Sequence, residues 1–440
     1  MKTGVNDAEQ NLRRRSRPLS CAQVVLTACA ASLLLARPIR AQTPASIGRA
    51  GELGIMAIGA VTSASPAIAN RRLTEGYLTQ PNLMGAITAA RGRWGALRTT
   101  GTLNFEGYTL RRGELNAGMY GEGYIDRRHP HTLVHEAMMT ASTPAPSWWQ
   151  MSLSAGKGFT PYGTDDPMMR TFVKYPVNHH HAQIIERVQV LGAVRVGTSR
   201  AAVLEHGRFN GDEPLGPFTG PRWSRFGDSH TTRLTLLPRG DVEWQASRAF
   251  VKSPGLVQGG AFDHVQYSTS LRYGGTSRHT FFIEAARTNE TLNDRAVFRF
   301  NSMLAEGRTA WREWSLAARA EQTDRPEGSR LLDLFRTQTG HFDVQIVGVT
   351  RWQVGTVQLA APAFGRGTAR LVPFLEAVAA HAQPRSTPAV FVPRDFYGAA
   401  TQWSITVGAR LHVGTMRARM GRYGVLDPAL GRIMSPTHSH

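Results

Sequence analysis

The sequence contains very little cysteine and no long apolar segment beyond its first forty residues. Only two of its 440 residues are cysteine, Cys21 and Cys29, and both lie near the N-terminus. The rest of the chain therefore has no cysteine for a disulfide, a thiol nucleophile or a thiolate metal site. No later run approaches the roughly 20 apolar residues that a spanning helix needs. These absences exclude disulfide-stapled scaffolds, thiol enzymes and helical membrane proteins.

Signatures of catalysis and of nucleic-acid recognition are also missing. The sequence has no Gly-x-Ser-x-Gly elbow and no His-Glu-x-x-His motif, and its glycine-rich stretches are not followed by a helical pattern. A nucleophile elbow, a zinc protease site and a phosphate loop are therefore not supported. No recognition helix or binding fingerprint for nucleic acid is present. We expect a protein that is not an enzyme, has no cofactor and does not bind nucleic acid.

Residues 1–41 have the features of an export signal. Arg13, Arg14, Arg15 and Arg17 form a basic region, residues 21–36 are an apolar run, and a cleavage site follows at Ala41. This order is typical of a secretory signal peptide. A second interpretation takes residues 26–29 as a lipoprotein box, but the apolar run continues beyond Cys29.

The chain is strongly basic. Its formal net charge is +19, from 51 Lys and Arg against 32 Asp and Glu. Residues 1–41 contain only seven of the basic and two of the acidic residues, so a processed chain would stay basic. A basic exported protein attracts anionic solutes, lipopolysaccharide and other polyanions.

Two-residue alternation dominates the sequence after the signal, and helical periodicity is nearly absent. In one segment Trp403, Ile405 and Val407 alternate with Ser404 and Thr406. Successive strand side chains point to opposite faces, so such a segment has one apolar and one polar face. Sixteen segments predict strands: 54–63, 83–91, 97–107, 134–142, 148–156, 185–196, 201–209, 229–237, 242–251, 264–273, 279–288, 297–306, 311–321, 342–352, 370–381 and 402–413.

The connections between these segments alternate in length. Short turns separate one set of neighbours, whereas longer segments separate the other: 108–133, 157–184, 210–228, 252–263, 322–341 and 382–401. Most strands have about 9–11 residues, the length that a tilted strand needs to cross a bilayer. Short turns at one end and long loops at the other are typical of an outer-membrane barrel.

The sequence therefore predicts an all-β fold, a transmembrane antiparallel up-and-down barrel of about sixteen strands. Fourteen to eighteen strands are compatible with the pattern, because residues 354–368 and 416–425 could each add one. The predicted organisation is a signal peptide at 1–41, a short lead at 42–53, the barrel at 54–425 and a tail at 426–440. The alternative fold is a secreted β-sandwich, whose strands also alternate.

In this strand-and-loop pattern the chain resembles the bacterial outer-membrane porins over nearly all of its mature length. One feature departs from that family, whose last strand commonly ends in an aromatic residue. This chain ends in Pro436-Thr437-His438-Ser439-His440, and its last aromatic residue is Tyr423. The resemblance implies a location in the outer membrane, contact with lipid and lipopolysaccharide, and a homotrimeric assembly.

The longest irregular stretch, residues 157–184, is the third connection at the long-loop side. The resemblance implies that this loop folds into the lumen as a constriction, with Asp165 and Asp166 facing wall arginines Arg98, Arg187 or Arg195. Arginine in a wet lumen favours anions. The predicted charges along the pore are Asp165, Asp166, Arg170, Lys174, Arg98, Arg187, Arg195, Arg233 and Arg272.

Two groups of histidines offer a competing interpretation, in which the long loops bind a metal ion. The candidates are His129, His131, His135, His179, His180 and His181. Imidazole together with carboxylate suits zinc, copper or nickel. The sequence thus predicts a porin that passes small hydrophilic solutes, with a preference for anions and with 157–184 as constriction or plug. The alternatives are a metal or ligand receptor and an outer-membrane hydrolase.

Overall fold

The computed structural model describes residues 51–428, apart from 66–72, 90–94, 111–130, 145–147, 165–166, 215, 221, 257, 275–277, 329–345, 386–391 and 416–418. All of these belong to one compact unit, Pro44–His440.

Sixteen antiparallel strands form a closed barrel in which each strand pairs with its neighbours in sequence. They are β1 Gly51–Ser65, β2 Leu73–Ala89, β3 Ala96–Asn104, β4 Val134–Ser142, β5 Trp149–Gly158, β6 Arg187–Val196, β7 Ala201–Phe209, β8 Ser229–Arg239, β9 Val242–Val251, β10 Asp263–Tyr273, β11 His279–Leu292, β12 Arg295–Trp311, β13 Trp314–Gly328, β14 Ile346–Ala360, β15 Ala369–Pro384 and β16 Thr401–Gly414. The predicted fold class and strand number are confirmed.

The barrel closes between its first and last strands. β1 runs antiparallel to β16, with Gly54 opposite Gly414 and Ser65 opposite Trp403. The start of β1 and the end of β16 therefore lie at the same end, which also carries the short turns, and we call it the short-turn end. The opposite, long-loop end carries the extended connections. One exception at that end is the β11–β12 hairpin, where Asn293 and Asp294 adopt φ of 51° and 64°, the backbone of a two-residue I′ turn.

Side-chain burial is inverted relative to that of a soluble protein. On β16, the polar residues Gln402, Ser404 and Thr406 face inward and are buried, whereas Trp403, Ile405 and Val407 are 39, 46 and 59% exposed. The same alternation places Leu153 and Met303 on the outside, 58 and 64% exposed. A barrel whose apolar residues face out and whose polar residues face in is stable where lipid covers the outer face.

Helix is scarce in the described part of the chain. Three short α-helices occur, Glu106–Thr109, His179–Ala182 and Pro393–Tyr397. None of the described helices has the length and apolarity needed to cross a membrane.

Most strands differ from their predicted bounds by a few residues, and β2 and β14 differ the most. β2 begins at Leu73, ten residues earlier than predicted, and continues past Gln80, whose φ is 52°. β14 extends to Ala360, so residues 354–360 belong to it and do not form a further strand. After β16, residues 419–428 form no strand and include a 3₁₀ turn at Gly424–Leu426.

Candidate functional site: the interior of the barrel

The interior is crossed by the connection between β5 and β6, which we call the crossing loop (residues 159–186). Near its start, the Pro161 carbonyl accepts a hydrogen bond from Thr231 on β8 at 3.0 Å. The Gly163 N–H donates to Ser247 on β9 at 3.0 Å, and the Thr164 hydroxyl donates to Glu284 on β11 at 3.1 Å. All three wall residues face inward, so this part of the loop lies along the inner wall.

The middle of the crossing loop reaches the far side of the barrel. The Thr171 carbonyl accepts hydrogen bonds from Gln358 on β14 at 2.9 Å and from Arg410 on β16 at 3.0 Å. The consecutive amides of Val173 and Lys174 both donate to the Glu376 carboxylate on β15, at 2.9 Å each. Glu376 is fully buried, and a carboxylate that accepts two amide donors forms strong charge-assisted bonds.

The returning part of the loop is attached to β11, β12 and β13. The Val177 N–H donates to Glu321 at 2.8 Å, and the Asn178 side chain donates to Glu284 and to Ser302, each at 3.1 Å. The His181 ring lies 3.0 Å from the Thr288 hydroxyl and stacks on Phe300. The loop therefore contacts most of the circumference of the wall.

Apolar side chains also hold the crossing loop in place. Phe159, Tyr162, Phe172 and Tyr175 are at most 3% exposed. Met168 is fully buried in a cluster with methionines from three strands and with the later residues Met420 and Tyr423; its wall members are Met56, Met84, Met138 and Leu191. Burial of side chains of this size contributes about 1.5–3 kcal/mol each.

Both glutamates and arginines of the wall hold the crossing loop. The loop cations lie against wall glutamates, whereas wall arginines donate to its carbonyl groups: Arg233 to Gly163, Arg319 to Lys174, and Arg410 to Arg170 and Thr171. Arg170 lies 3.2 Å from Glu306 and 3.5 Å from Glu284, and the Lys174 ammonium lies 4.0 Å from Glu321. The two predicted pore cations of the loop thus lie against wall carboxylates. Asp165 and Asp166 lie outside the described residues, so their pairing with arginine stays a prediction.

The predicted wall arginines also have partners of their own. Arg187 donates to the Asp212 carbonyl at 3.0 Å and to Glu213 at 2.8 Å. Arg195 donates to the Thr198 carbonyl at 2.8 Å, beside a short turn. Arg233 forms a buried pair with Glu205 and donates to the Gly163 carbonyl at 3.1 Å. Arg272 lies over the Phe282 ring, 5.2 Å from its centroid.

A second segment, residues 419–428, occupies the short-turn half of the interior, and we call it the C-terminal segment. Arg422 donates to Glu243 on β9 at 2.9 Å, and Arg419 pairs with the same carboxylate. The Tyr423 hydroxyl accepts the Phe159 N–H at 3.1 Å, which joins the segment to the crossing loop. The Val425 N–H donates to Ser152 on β5 at 3.2 Å.

Two glycines allow the C-terminal segment to fit. Gly421 and Gly424 have φ of 77° and 58°, a region that glycine adopts without strain. A Cβ on Gly424 would overlap the Ser152 side chain, and one on Gly421 would press on Phe159 at 3.0 Å. The sequence prediction missed this segment, because a stretch with two glycines and no alternation looks like a tail when its contacts are unknown.

Two histidine–glutamate pairs lie beside each other at the long-loop end. The His131 ring is 3.2 Å from Glu106, the His135 ring is 2.7 Å from Glu186, and the two ring centroids are 4.9 Å apart. Burial alone would raise the pKa of the Glu106 carboxyl. The hydrogen bond and charge of His131, together with the hydrogen bonds from Gln80 and Thr79, outweigh burial and lower this pKa to about 2.

Glu186 responds to its surroundings in the same way. Burial would raise the pKa of its carboxyl, but the hydrogen bond and charge of His135 lower it to about 2. For His131, burial would lower the pKa of the ring, but the bond and charge of Glu106 raise it above 6.5.

These contacts do not form a metal centre. His131 and His135 bind glutamates, whereas the His179 ring lies 2.9 Å from the Pro176 carbonyl and His181 lies beside Thr288. Within the described ranges, no group of three or more His, Cys, Asp or Glu side chains is arranged to hold a metal ion. His129 lies outside those ranges.

One part of the inner wall stays open to solvent. On β10, β12, β15 and β16 the inward positions near the short-turn end include Arg272, Arg308, Arg370 and Arg410, of which Arg308 and Arg370 are exposed. The four inward glutamates of this half, Glu284, Glu306, Glu321 and Glu376, are engaged by the crossing loop. The accessible surface that remains, which we call the basic face, is therefore positively charged. The sequence prediction included Arg272 and missed Arg308 and Arg370.

Comparison with known proteins supports the fold. No protein-family model matches the chain, and no curated protein does. Among solved structures, the chain is similar to the anion-selective porin from Comamonas acidovorans, with a TM-score of 0.52 and 9% identity over 82% of this chain and 99% of that one. Weaker similarity links it to the outer-membrane protein OmpT of Vibrio cholerae in a loop L8 deletion form, with a TM-score of 0.48 and 10% identity over 82% and 99%. At these identities the likeness concerns fold alone, and the fold is that of an outer-membrane porin barrel.

Proposed function

We propose that the protein is an outer-membrane porin that conducts small hydrophilic solutes by passive diffusion and prefers anions. The observation that carries the proposal is the basic face, where accessible arginines line the wall and the neighbouring carboxylates are bound by the crossing loop. A fixed positive charge in a water-filled passage favours anions over cations. The Comamonas acidovorans neighbour is described as an anion-selective porin, which agrees with this proposal.

In this proposal the crossing loop and the C-terminal segment together narrow the passage. The loop covers the centre of the lumen and the segment covers the β3–β9 half of the short-turn end. Solutes then travel along β10–β16, past Arg272, Arg308 and Arg370. Passive diffusion past the crossing loop and the C-terminal segment needs no cofactor and no catalytic residue, so the proposal involves no enzymatic step. A homotrimer in the outer membrane is part of the proposal.

A liposome-swelling assay tests passive diffusion directly. Vesicles containing the folded barrel should swell in isotonic solutions of small sugars and small organic anions, and faster for an anion than for a cation of similar size. Vesicles that contain folded barrel but swell no faster than protein-free vesicles would contradict the proposal.

The receptor alternative has weaker support. It requires the histidine groups to be available to a ligand, yet four of the candidates contact wall or backbone groups: His131, His135, His179 and His181. Metal analysis of the purified protein, which would show a stoichiometric transition metal in a receptor, separates the two functions.

A further inference from the structure

Methionine sulfur is concentrated at one place inside the barrel. Of the nine methionines in the described part of the chain, five are at most 1% exposed, and all five belong to a single cluster. They are Met56 on β1, Met84 on β2, Met138 on β4, Met168 of the crossing loop and Met420 of the C-terminal segment. We call these five residues the methionine cluster.

The strand register and one hydrogen bond bring three of these sulfurs together. Met56 is directly opposite Asn82, and Met84 is the next inward residue on the strand of Asn82. Diagonal neighbours of this kind have Cβ atoms about 7 Å apart, within reach of long side chains. The Asn82 side chain donates to the Met168 sulfur at 2.8 Å. Thioethers from β1, β2 and the crossing loop therefore converge on one region of the inner wall.

An imidazole lies beside this region. His412 on β16 is directly opposite Met56 on one side and directly opposite Arg370 of β15 on the other. Its Nδ1 atom is buried and has no hydrogen-bond partner within the described ranges. Arg370 is exposed, so His412 lies between the open part of the lumen and the buried sulfurs. This row of side chains connects solvent with the methionine cluster.

A buried carboxylate lies on the other side of the cluster. Glu136 on β4 is 1% exposed, and its carboxylate accepts a hydrogen bond from Thr102 at 2.9 Å. Thr102 is directly opposite both Glu136 and Met84, so the carboxylate lies in the row of Met84, two strands away. A buried positive charge is costly unless a negative charge compensates it, and Glu136 supplies one here.

The atoms that this arrangement offers form a soft donor set. Thioether sulfur selects Cu(I), whereas carboxylate, carbonyl and water oxygens suit magnesium, calcium and manganese. Packing alone does not require sulfur, since leucine has a similar volume and is exchanged for methionine at little cost. Yet Leu191 is the one branched aliphatic side chain among the described buried members of this cluster.

We propose that the methionine cluster binds the soft monovalent ion Cu(I), through the sulfurs of Met56, Met84 and Met168 and the Nδ1 atom of His412. The inference goes beyond solute conduction and does not depend on it. An ion held in this way joins β1, β2 and β16 to the crossing loop. Because it binds only the folded barrel, it also stabilises the folded state.

Competitive titration with Cu(I) tests the proposal. The folded, detergent-solubilised full chain is titrated without oxygen against the chromophoric chelator bicinchoninate. A Cys21→Ser/Cys29→Ser background removes the two thiols of the chain. We expect about one equivalent of Cu(I) per chain and no displacement by excess Zn(II), because thioethers are not among the usual ligands of zinc.

X-ray absorption at the copper edge identifies the ligands and needs no substitution near the cluster. We expect sulfur and nitrogen neighbours around the bound copper. A first shell that contains nitrogen and oxygen alone would overturn the proposal, and so would a titration without stoichiometric binding.

Methionine-to-leucine variants locate the site, since leucine keeps the apolar volume and removes the sulfur. Loss of groups that only support a metal ligand costs about 10–100-fold in affinity, so Met56→Leu/Met84→Leu/Met168→Leu should cost about 100-fold or more. The matched control makes the same change at three exposed methionines of the outer wall: Met139, Met151 and Met303. Its affinity should equal that of the unmodified protein. Equal affinity of the two triple variants would refute the location.

Two further variants keep the test independent of folding and of the histidine groups. His412→Leu retains all five sulfurs and should weaken Cu(I) binding by about tenfold or more, with loss of the nitrogen neighbour from the absorption spectrum. His131→Gln/His179→Gln should bind Cu(I) unchanged; loss of the ion there would assign it to the histidine groups and overturn the proposal. A barrel that binds Cu(I) as expected but does not conduct would refute the proposed function alone.

Discussion

Arg98, on β3, donates to the Asp427 carboxylate at 2.8 Å, although the two residues are 329 positions apart in the sequence. Arg98 also donates to Glu52 at the start of β1, at 2.9 Å. Its side chain is 1% exposed, so a single buried guanidinium joins the wall near the closure of the barrel to the last described residues of the chain. This contact makes the C-terminal segment an integral part of the interior.

The first prediction concerns attachment of the C-terminal segment. Glu243→Gln removes the negative charge that Arg419 and Arg422 share. Loss of one partner from a buried pair costs about 3–5 kcal/mol, so we expect the segment to detach and single-channel conductance to rise. Limited proteolysis should then cut near Arg419. Glu313→Gln, in the exposed β12–β13 turn, is the control; unchanged conductance and cleavage in Glu243→Gln would show that the segment does not narrow the passage.

The second prediction concerns the crossing loop. Glu376→Gln replaces one oxygen by an NH₂ group that faces the N–H donors of Val173 and Lys174, so one donor is left unsatisfied at a cost of about 1–3 kcal/mol. We expect larger conductance and more current noise, because the middle of the loop is held less firmly. Current traces in a planar bilayer provide the measurement. Traces that match those of the unmodified protein would exclude this contact as an anchor of a constriction.

The third prediction concerns charge along the basic face. The double substitution Arg308→Gln/Arg370→Gln removes two accessible positive charges from the inner wall and should shift the reversal potential in a salt gradient toward that of a cation-permeable pore. Arg287→Gln is the control, since Arg287 lies on a neighbouring strand and faces outward. An equal shift in Arg287→Gln would mean that an arginine outside the lumen affects selectivity as much as one inside it. That result would contradict the proposed solute route along the basic face.

The fourth prediction concerns pH and the two histidine–glutamate pairs. The raised pKa of His131 contributes stability that is present below 6.5 and lost as pH rises through its value in the folded protein. The lowered pKa values of Glu106 and Glu186, about 2, contribute stability that is present above 4.5 and lost as pH falls toward 2. The contacts are therefore strongest at about pH 4.5–6.5.

Amide exchange checks this window. The Gln80 and Thr132 amides donate to Glu106 and Glu186, at 2.8 Å each. Their protection factors, corrected for intrinsic rates, should be highest in that window and fall as pH rises above it. In His131→Gln the loss at high pH should disappear at Gln80, because no imidazolium remains to deprotonate. A flat profile in the unmodified protein would contradict the assigned charge states.

The strands of the wall could be predicted because the alternation of their side chains depends only on neighbouring residues. Alternation such as that of Trp403, Ile405 and Val407 follows from the two-residue period of a strand, so sixteen strands could be placed without knowledge of their partners. The start of β2 could not, since Gly76, Gln80 and Pro81 interrupt the pattern and the strand is completed by pairing with β1.

The interior was predictable only in part. The aromatic and methionine content of residues 157–184 indicated a loop that packs against the wall, as Phe172 and Met168 do. The partners of that loop could not be predicted from the sequence, because Glu376 and Glu321 lie on strands that are far from the loop in the chain. The C-terminal segment was missed for the same reason. Its residues Tyr423 and Asp427 bind Phe159 and Arg98, which lie more than 260 positions earlier in the sequence.

The most direct test of the central claim is a single-channel recording of the purified, folded protein in a planar bilayer with a salt gradient. We predict discrete conductance steps and a reversal potential of the sign expected for an anion-preferring pore, reduced in magnitude by Arg308→Gln/Arg370→Gln. Correctly folded barrel that inserts into the bilayer but gives no conductance steps would contradict the claim that this protein is a porin.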